Sequence, residues 1–188
     1  MHKTIRIKIA TCIHRLLPAR LARRFVRQQD GAAAVEFALV ALPFLALTFA
    51  ILETALVFFA GQTLETAVTD SGRLIMTGQA QTAGYSKDDF KNQVCAHIYG
   101  LFDCANGIYV DVKTYTSFAA ISNPPPITNG EFDSSKLNYT PGGVGDIVVV
   151  TIYYQWPIYV SLLGNNLANL GNKRLLVATS VFRNEPYN

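Results

Sequence analysis

Glu36 is followed by sixteen residues without a charge before Glu53 is reached. A carboxylate in such a setting costs roughly 2.5–3.5 kcal/mol at a bilayer centre and less near an interface, so it calls for a partner or a job. Five residues before it stands Gly31, followed by Ala32, Ala33, Ala34 and Val35, and Phe37 comes directly after it. Other residues with chemical potential are few. Cys95, His97 and Cys104 share one short stretch. Three states are open to them: a disulfide, two buried free thiols, or a zinc site. Three ligands with no second cluster argue against zinc. His2 and His14 precede Gly31, which leaves His97 as the one later imidazole, with no nucleophile marked beside it. Asp88 and Asp89 suit the first turn of a helix better than a paired-carboxylate site. The chain lacks GxxxxGK[ST], HExxH and GxSxG patterns. Gly142-Gly143-Val144-Gly145 reads as a turn. No catalytic residue, cofactor site or metal site is expected, and the chain does not read as an enzyme.

Charge distribution sets the frame for these residues. Of the 16 Lys and Arg, eight precede Gly31, accompanied there only by Asp30. The chain from Ala32 onward holds the other 8 basic residues and 12 acidic ones, a formal charge of −4. The basic balance therefore belongs to the leader, and no nucleic-acid partner is implied. The apolar segment, about Phe37 to Ala60, is long enough to cross a hydrocarbon core of about 30 Å at about 1.5 Å per residue. The positive flank places the N-terminus in the cytoplasm and the remainder outside the inner membrane. An oxidising compartment favours pairing of Cys95 with Cys104 over the free thiols. Cys12 lies in the leader.

The elements follow from pattern. Residues 1–31 read as a basic leader with amphipathic character, broken near Pro18. Residues 32–84 read as a membrane helix with an amphipathic extension, in which Leu64, Ala67, Val68, Leu74 and Ile75 recur at helical spacing and Gly84 is the stop. Pro43 lies inside the apolar part, which membrane helices tolerate. Glu53 is expected near the outer interface, where its carboxylate snorkels. Residues 85–188 read as a small periplasmic domain. Ser86 caps a helix near 86–99, on which Phe90, Val94 and Ile98 stack. Ile108, Val110 and Val112 alternate with Tyr109, Asp111 and Lys113 as a half-buried strand. Asn123-Pro-Pro-Pro is an exposed connection, and Asn129 to Gly145 a loop. Asp146-IVVVTIYYQW and Lys173-RLLVATSVFR are strands, with a short helical turn expected over Leu162–Leu170. The fold class is α+β, a helix on a modest antiparallel sheet.

Gly31, the small residues Ala32 to Val35, Glu36-Phe37 and the apolar run together resemble a type IV pilin-like precursor, and within that class the TadE-like minor pseudopilins of the Tad (Flp) pilus system. A basic approach to Gly31 fits, as do Val94-Cys95 through Asp103-Cys104, Val110-Asp111-Val112 and the ending Val181 to Tyr187. The 31-residue leader is longer than in many type IV pilins. The resemblance implies cleavage between Gly31 and Ala32 by a prepilin peptidase, with Glu36 fifth in the mature chain. It implies assembly roles for Glu36 and Phe37. Its expected partners are other pseudopilins or pilin, inner-membrane Tad assembly proteins and the lipid bilayer. The resemblance implies a part in Tad/Flp pilus biogenesis and adhesion. The competing reading is a single-pass membrane-anchored periplasmic binding module unrelated to pili.

Overall fold

The computed structural model describes residues 29–98, 100, 102–159 and 167–187. The leader, with its expected amphipathic helix, lies outside them, except for its last three residues, which begin the first helix. The chain divides into two compact units, the first ending at Thr48 and the second running from Phe49 to Asn188.

Helix α1, Gln29–Met76, belongs to both units. Between Phe37 and Leu47, in the first unit, every side chain is apolar. Phe37, Leu39, Val40, Leu42 and Phe44 are exposed, a surface that water does not tolerate and lipid does. Pro43 sits inside this stretch. The Thr48 hydroxyl donates to the Phe44 carbonyl at 2.8 Å, so a polar side chain in an apolar setting is satisfied by its own helix.

In the second unit one stripe of α1 becomes core. Val57, Ala60, Leu64, Ala67, Val68 and Ile75 are buried, at the spacing of successive helical turns. Gln62, Glu65, Thr66, Thr69 and Asp70 face outward. The helix stops at Met76, before the expected Gly84. Gly78 adopts a left-handed conformation at φ 77°, and the Tyr187 ring occupies the place where a Cβ would stand, so only glycine fits. The Met76 carbonyl, orphaned at the helix end, accepts from Glu185 N–H at 2.8 Å. A short helix α2, Gln79–Thr82, follows, and Gly84 ends that one.

Helix α3, Lys87–Ala96, starts as expected. Ser86 accepts from Asp89 N–H and the Asp89 carboxylate reaches back to Ser86 N–H, a reciprocal capping box. The Ser86 hydroxyl, which donates to the Asp89 carboxylate at 2.7 Å, and then the Ser86 N–H hold the Asp89 carboxyl below its ordinary range. Phe90 and Val94 are buried. Cys95 is disulfide-bonded to Cys104. Phe102, beside this bridge, packs edge-on against Tyr154 with ring centroids 4.8 Å apart.

Strands β1 (Ile108–Tyr115), β2 (Ile127–Thr128), β3 (Glu131–Phe132), β4 (Ile147–Pro157) and β5 (Lys173–Arg183) complete the fold. The sheet is antiparallel in the order β1-β4-β5, and β2-β3 forms a separate hairpin. Register pairs Val110 with Ile152 and Ile152 with Ala178. Even-numbered residues thus share the face that receives the helices: Val110, Val112, Val150, Ile152, Leu176 and Ala178 join the α1 stripe in one cluster. The odd face was expected to meet solvent along β1. Instead the chain between β1 and β4 folds back over it. Asn138 O and N–H engage Val112 N–H and the Asp111 carboxylate at 2.9 and 2.8 Å. Asp111 is buried and its second oxygen lies 2.6 Å from Lys113 Nζ, which gives the buried charge its necessary partner. Of the turn expected over Leu162–Leu170, the described part, 167–170, is not helical. Leu170 bridges to Lys173 instead.

Among the described residues, the buried hydroxyls of Tyr139 and Tyr153 have no hydrogen-bond partner. Burial pushes both up to about 12, assisted by the negative charges of Asp89 and Asp111 respectively. At Tyr153 the nearby polar groups of Asn123 and Thr151 oppose this slightly. Each folded-state value lies above the unfolded one. Their contribution is therefore complete below about pH 10, the ordinary tyrosine value, and is lost as pH climbs toward 12. Denaturant midpoints of the detergent-solubilised chain should hold from pH 8 to 9.5 and fall above pH 10. Tyr153→Phe should flatten that fall while costing less than about 1 kcal/mol at pH 8, because the hydroxyl it removes has no partner. An unchanged alkaline slope in Tyr153→Phe would contradict the assignment.

Candidate functional site

The residues singled out in the sequence fall in two places. Gly31, Ala32, Glu36 and Phe37 lie together in the first turns of α1, in the first unit. Cys95 and Cys104 lie in the second unit, joined at a Cα–Cα distance of 5.9 Å.

The N-terminal group is built on a run of small residues. Gly31 is the third residue of α1. Glycine costs about 1 kcal/mol relative to alanine inside a helix, which weakens the turn around it. Ala32, Ala33 and Ala34 add no bulk. Glu36 is exposed and, among the described residues, forms no ion pair or side-chain hydrogen bond. Phe37 projects beside it at 73 % exposure. The site is thus a lone carboxylate on a helix surface whose other side chains are apolar. Chemically it can accept hydrogen bonds and pair with a cation. It holds no nucleophile and no second acid.

Near the disulfide, His97 Nδ1 lies 4.0 Å from the Asp70 carboxylate, and both side chains are partly exposed. Among the described residues no group of three or more His, Cys, Asp or Glu is arranged to hold a metal. The bridge ties the end of α3 to the segment that enters β1. Asp103 N–H donates to the Tyr154 hydroxyl at 3.2 Å and so fastens this segment to β4.

Glu53 is the residue that the pattern misplaced. It does not snorkel. It is 7 % exposed, and its Oε1 accepts the Tyr159 N–H at 2.7 Å, just past the end of β4. The signal was present in the spacing: Glu53, Val57, Ala60 and Leu64 occupy successive turns of the buried stripe. The second carboxylate of the apolar stretch is therefore an acceptor built into the domain, whereas Glu36 is left open.

Taken together, these features fit a membrane-anchored chain: among the described residues one N-terminal helix, Gly31–Met76, is long and apolar enough to cross a bilayer, and it is joined to a small α+β domain. Residues 31–73 match the family model described as TadE-like protein, so this segment, about a quarter of the chain, is similar to that family. No curated protein and no solved structure matches the chain. The match ends within α1, and the sheet lies outside it.

The two glutamates should respond oppositely. Glu53→Ala strands the Tyr159 N–H and should lower domain stability by about 1–3 kcal/mol. Glu36→Ala should leave it unchanged. Urea unfolding of both variants in micelles, followed by Trp156 fluorescence, checks this. Equal losses in the two would contradict the separation of their roles.

Proposed function

We propose that this chain is a minor pseudopilin of a Tad (Flp) pilus, an assembly component without catalytic activity. In this reading it resides in the bacterial inner membrane, its N-terminus cytoplasmic and its sheet domain periplasmic. A prepilin peptidase cuts between Gly31 and Ala32, and the mature protein is required for pilus biogenesis. The supporting observation is the partnerless Glu36 carboxylate, set on an apolar helix surface within the segment that matches the TadE-like model.

The physics is that of charge in a poor solvent. Cutting after Gly31 leaves an α-ammonium on Ala32. Among apolar helices that ammonium and the Glu36 carboxylate each need a counter-charge. A neighbouring pilin or pseudopilin helix supplies it, and Phe37 packs beside the pair. An axial offset would leave both charges unpaired, so the pairing selects register as well as partner. The charge bias of the leader supports the orientation. The Cys95–Cys104 bridge supports an oxidising compartment for the domain.

N-terminal sequencing of protein from its native membrane should begin at Ala32, and Gly31→Leu should leave the precursor uncut. Glu36→Ala should be inserted and stable yet fail to support piliation, since a buried charge deprived of its partner costs roughly 3–5 kcal/mol. Mature protein that keeps the leader in a peptidase-positive host would overturn the processing step. Normal pili with Glu36→Ala would overturn the assembly role.

A further inference from the structure

Beyond Glu53 the outward face of α1 stays apolar for almost two more turns. Leu56, Phe58 and Phe59 are exposed, the last two at 71 % and 59 %. The face turns polar only from Gln62 and Glu65 onward. Over the same turns the opposite face is already packed into the domain through Glu53, Val57 and Ala60. A bilayer that covers Phe58 and Phe59 therefore reaches the end of the sheet lying beside them.

That end is well defined. Tyr159 N–H is fastened to Glu53. Pro157 pairs with Lys173 and Trp156 with Arg174. Arg174 shares a groove of about 440 Å³ with Thr54 and Phe58. Tyr159 is 82 % exposed, and Lys173 and Arg174 are exposed as well. Among the described residues the acidic groups near this end are the buried Glu53, bonded to Tyr159 N–H, Glu65, farther along α1 on the groove wall, and Glu131, which shares a hollow with Lys173. An exposed tyrosine and two cations beside an apolar belt match the chemistry of an anionic headgroup layer.

We propose that this end of the domain is a lipid-docking face: Tyr159, Lys173 and Arg174 seat in the headgroups of an anionic bilayer while Phe58 and Phe59 enter its upper acyl region. The bilayer is the one that α1 crosses, so the proposal rests on the membrane-anchor reading. Its occupant is lipid because the face continues the apolar belt of the helix and adds the cations that phosphate requires. The burial of Glu53 acquires a purpose here, since Tyr159 N–H supplies a hydrogen bond to a carboxylate held at membrane depth.

Depth-dependent quenching in the full chain tests this. Trp156, the single tryptophan, is replaced by Phe, and one tryptophan is placed in turn at positions 44, 159 and 118. Each protein is reconstituted in phosphatidylglycerol–phosphatidylethanolamine vesicles containing lipids brominated on the upper acyl chain. Trp at 44 and at 159 should both be quenched, and Trp at 118, just past the opposite end of β1, should not. Lys173→Glu with Arg174→Glu should reduce quenching at 159 at least twofold. If W156F does not fold, Trp156 is retained and its signal subtracted. Quenching at 44 with none at 159 overturns the docking face and leaves the anchor standing. No quenching at 44 overturns both. Quenching at 159 that falls as protein density rises assigns the face to a second copy, against the proposal, and an unchanged signal in the double charge reversal removes the cations from it.

Discussion

One helix has to be soluble in two media. Along α1 the same kinds of side chain, Leu, Val, Ala and Phe, face lipid in one part and a protein core in the next. The change of medium is marked by a change of geometry. Around Leu39 to Phe44 apolar side chains point in every direction. From Glu53 to Ile75 only one stripe is buried, and the sheet's even face closes over it. Each fully buried Leu, Ile or Val on that stripe contributes about 1.5–3 kcal/mol. The sheet has three strands, and a single layer cannot cover its own apolar face, so a helix is laid across it. The anchor is therefore also part of the domain's core, and α3, the disulfide and the C-terminal run are arranged around that contact. Phe182 lies against Gly72, and Glu185 closes the last carbonyl of α1.

The same constraint sorts the carboxylates. Glu53 and Asp111 are buried and satisfied within the chain, by a backbone N–H and by Lys113 with Asn138 N–H respectively. Glu36 is satisfied by nothing among the described residues. In an apolar medium that asymmetry is a reason to look outside the chain, and the small residues between Gly31 and Glu36 leave room for a second backbone to approach.

What the sequence made legible was what is decided locally. The Ser86 cap is written in three neighbouring residues, and the β-branched run at 147–152 and the largely apolar run at 175–181 need no distant partner to be recognised. The cysteine pairing followed from compartment and isolation. The exit of α1 from lipid was not legible, because 37–60 is apolar on both sides of Glu53 and hydropathy does not distinguish acyl chains from a protein core. The burial of Asp111 depends on a polar excursion folding back over β1, and nothing in the polarity of 116–140 announces it. Gly78 and Gly84 look alike in sequence. The choice between them as the end of α1 rests on Tyr187, more than a hundred residues away.

The central claim is that the second half of α1 is part of the fold and not a tether to it. Two fragments test it, one beginning at Phe49 and one at Thr77, both ending at Asn188 and both with the disulfide formed. The fragment from Phe49 should unfold cooperatively in urea and show fixed aromatic near-ultraviolet circular dichroism, while the fragment from Thr77 should show neither. A fragment from Thr77 that folds cooperatively with the same midpoint as the longer one would contradict the account.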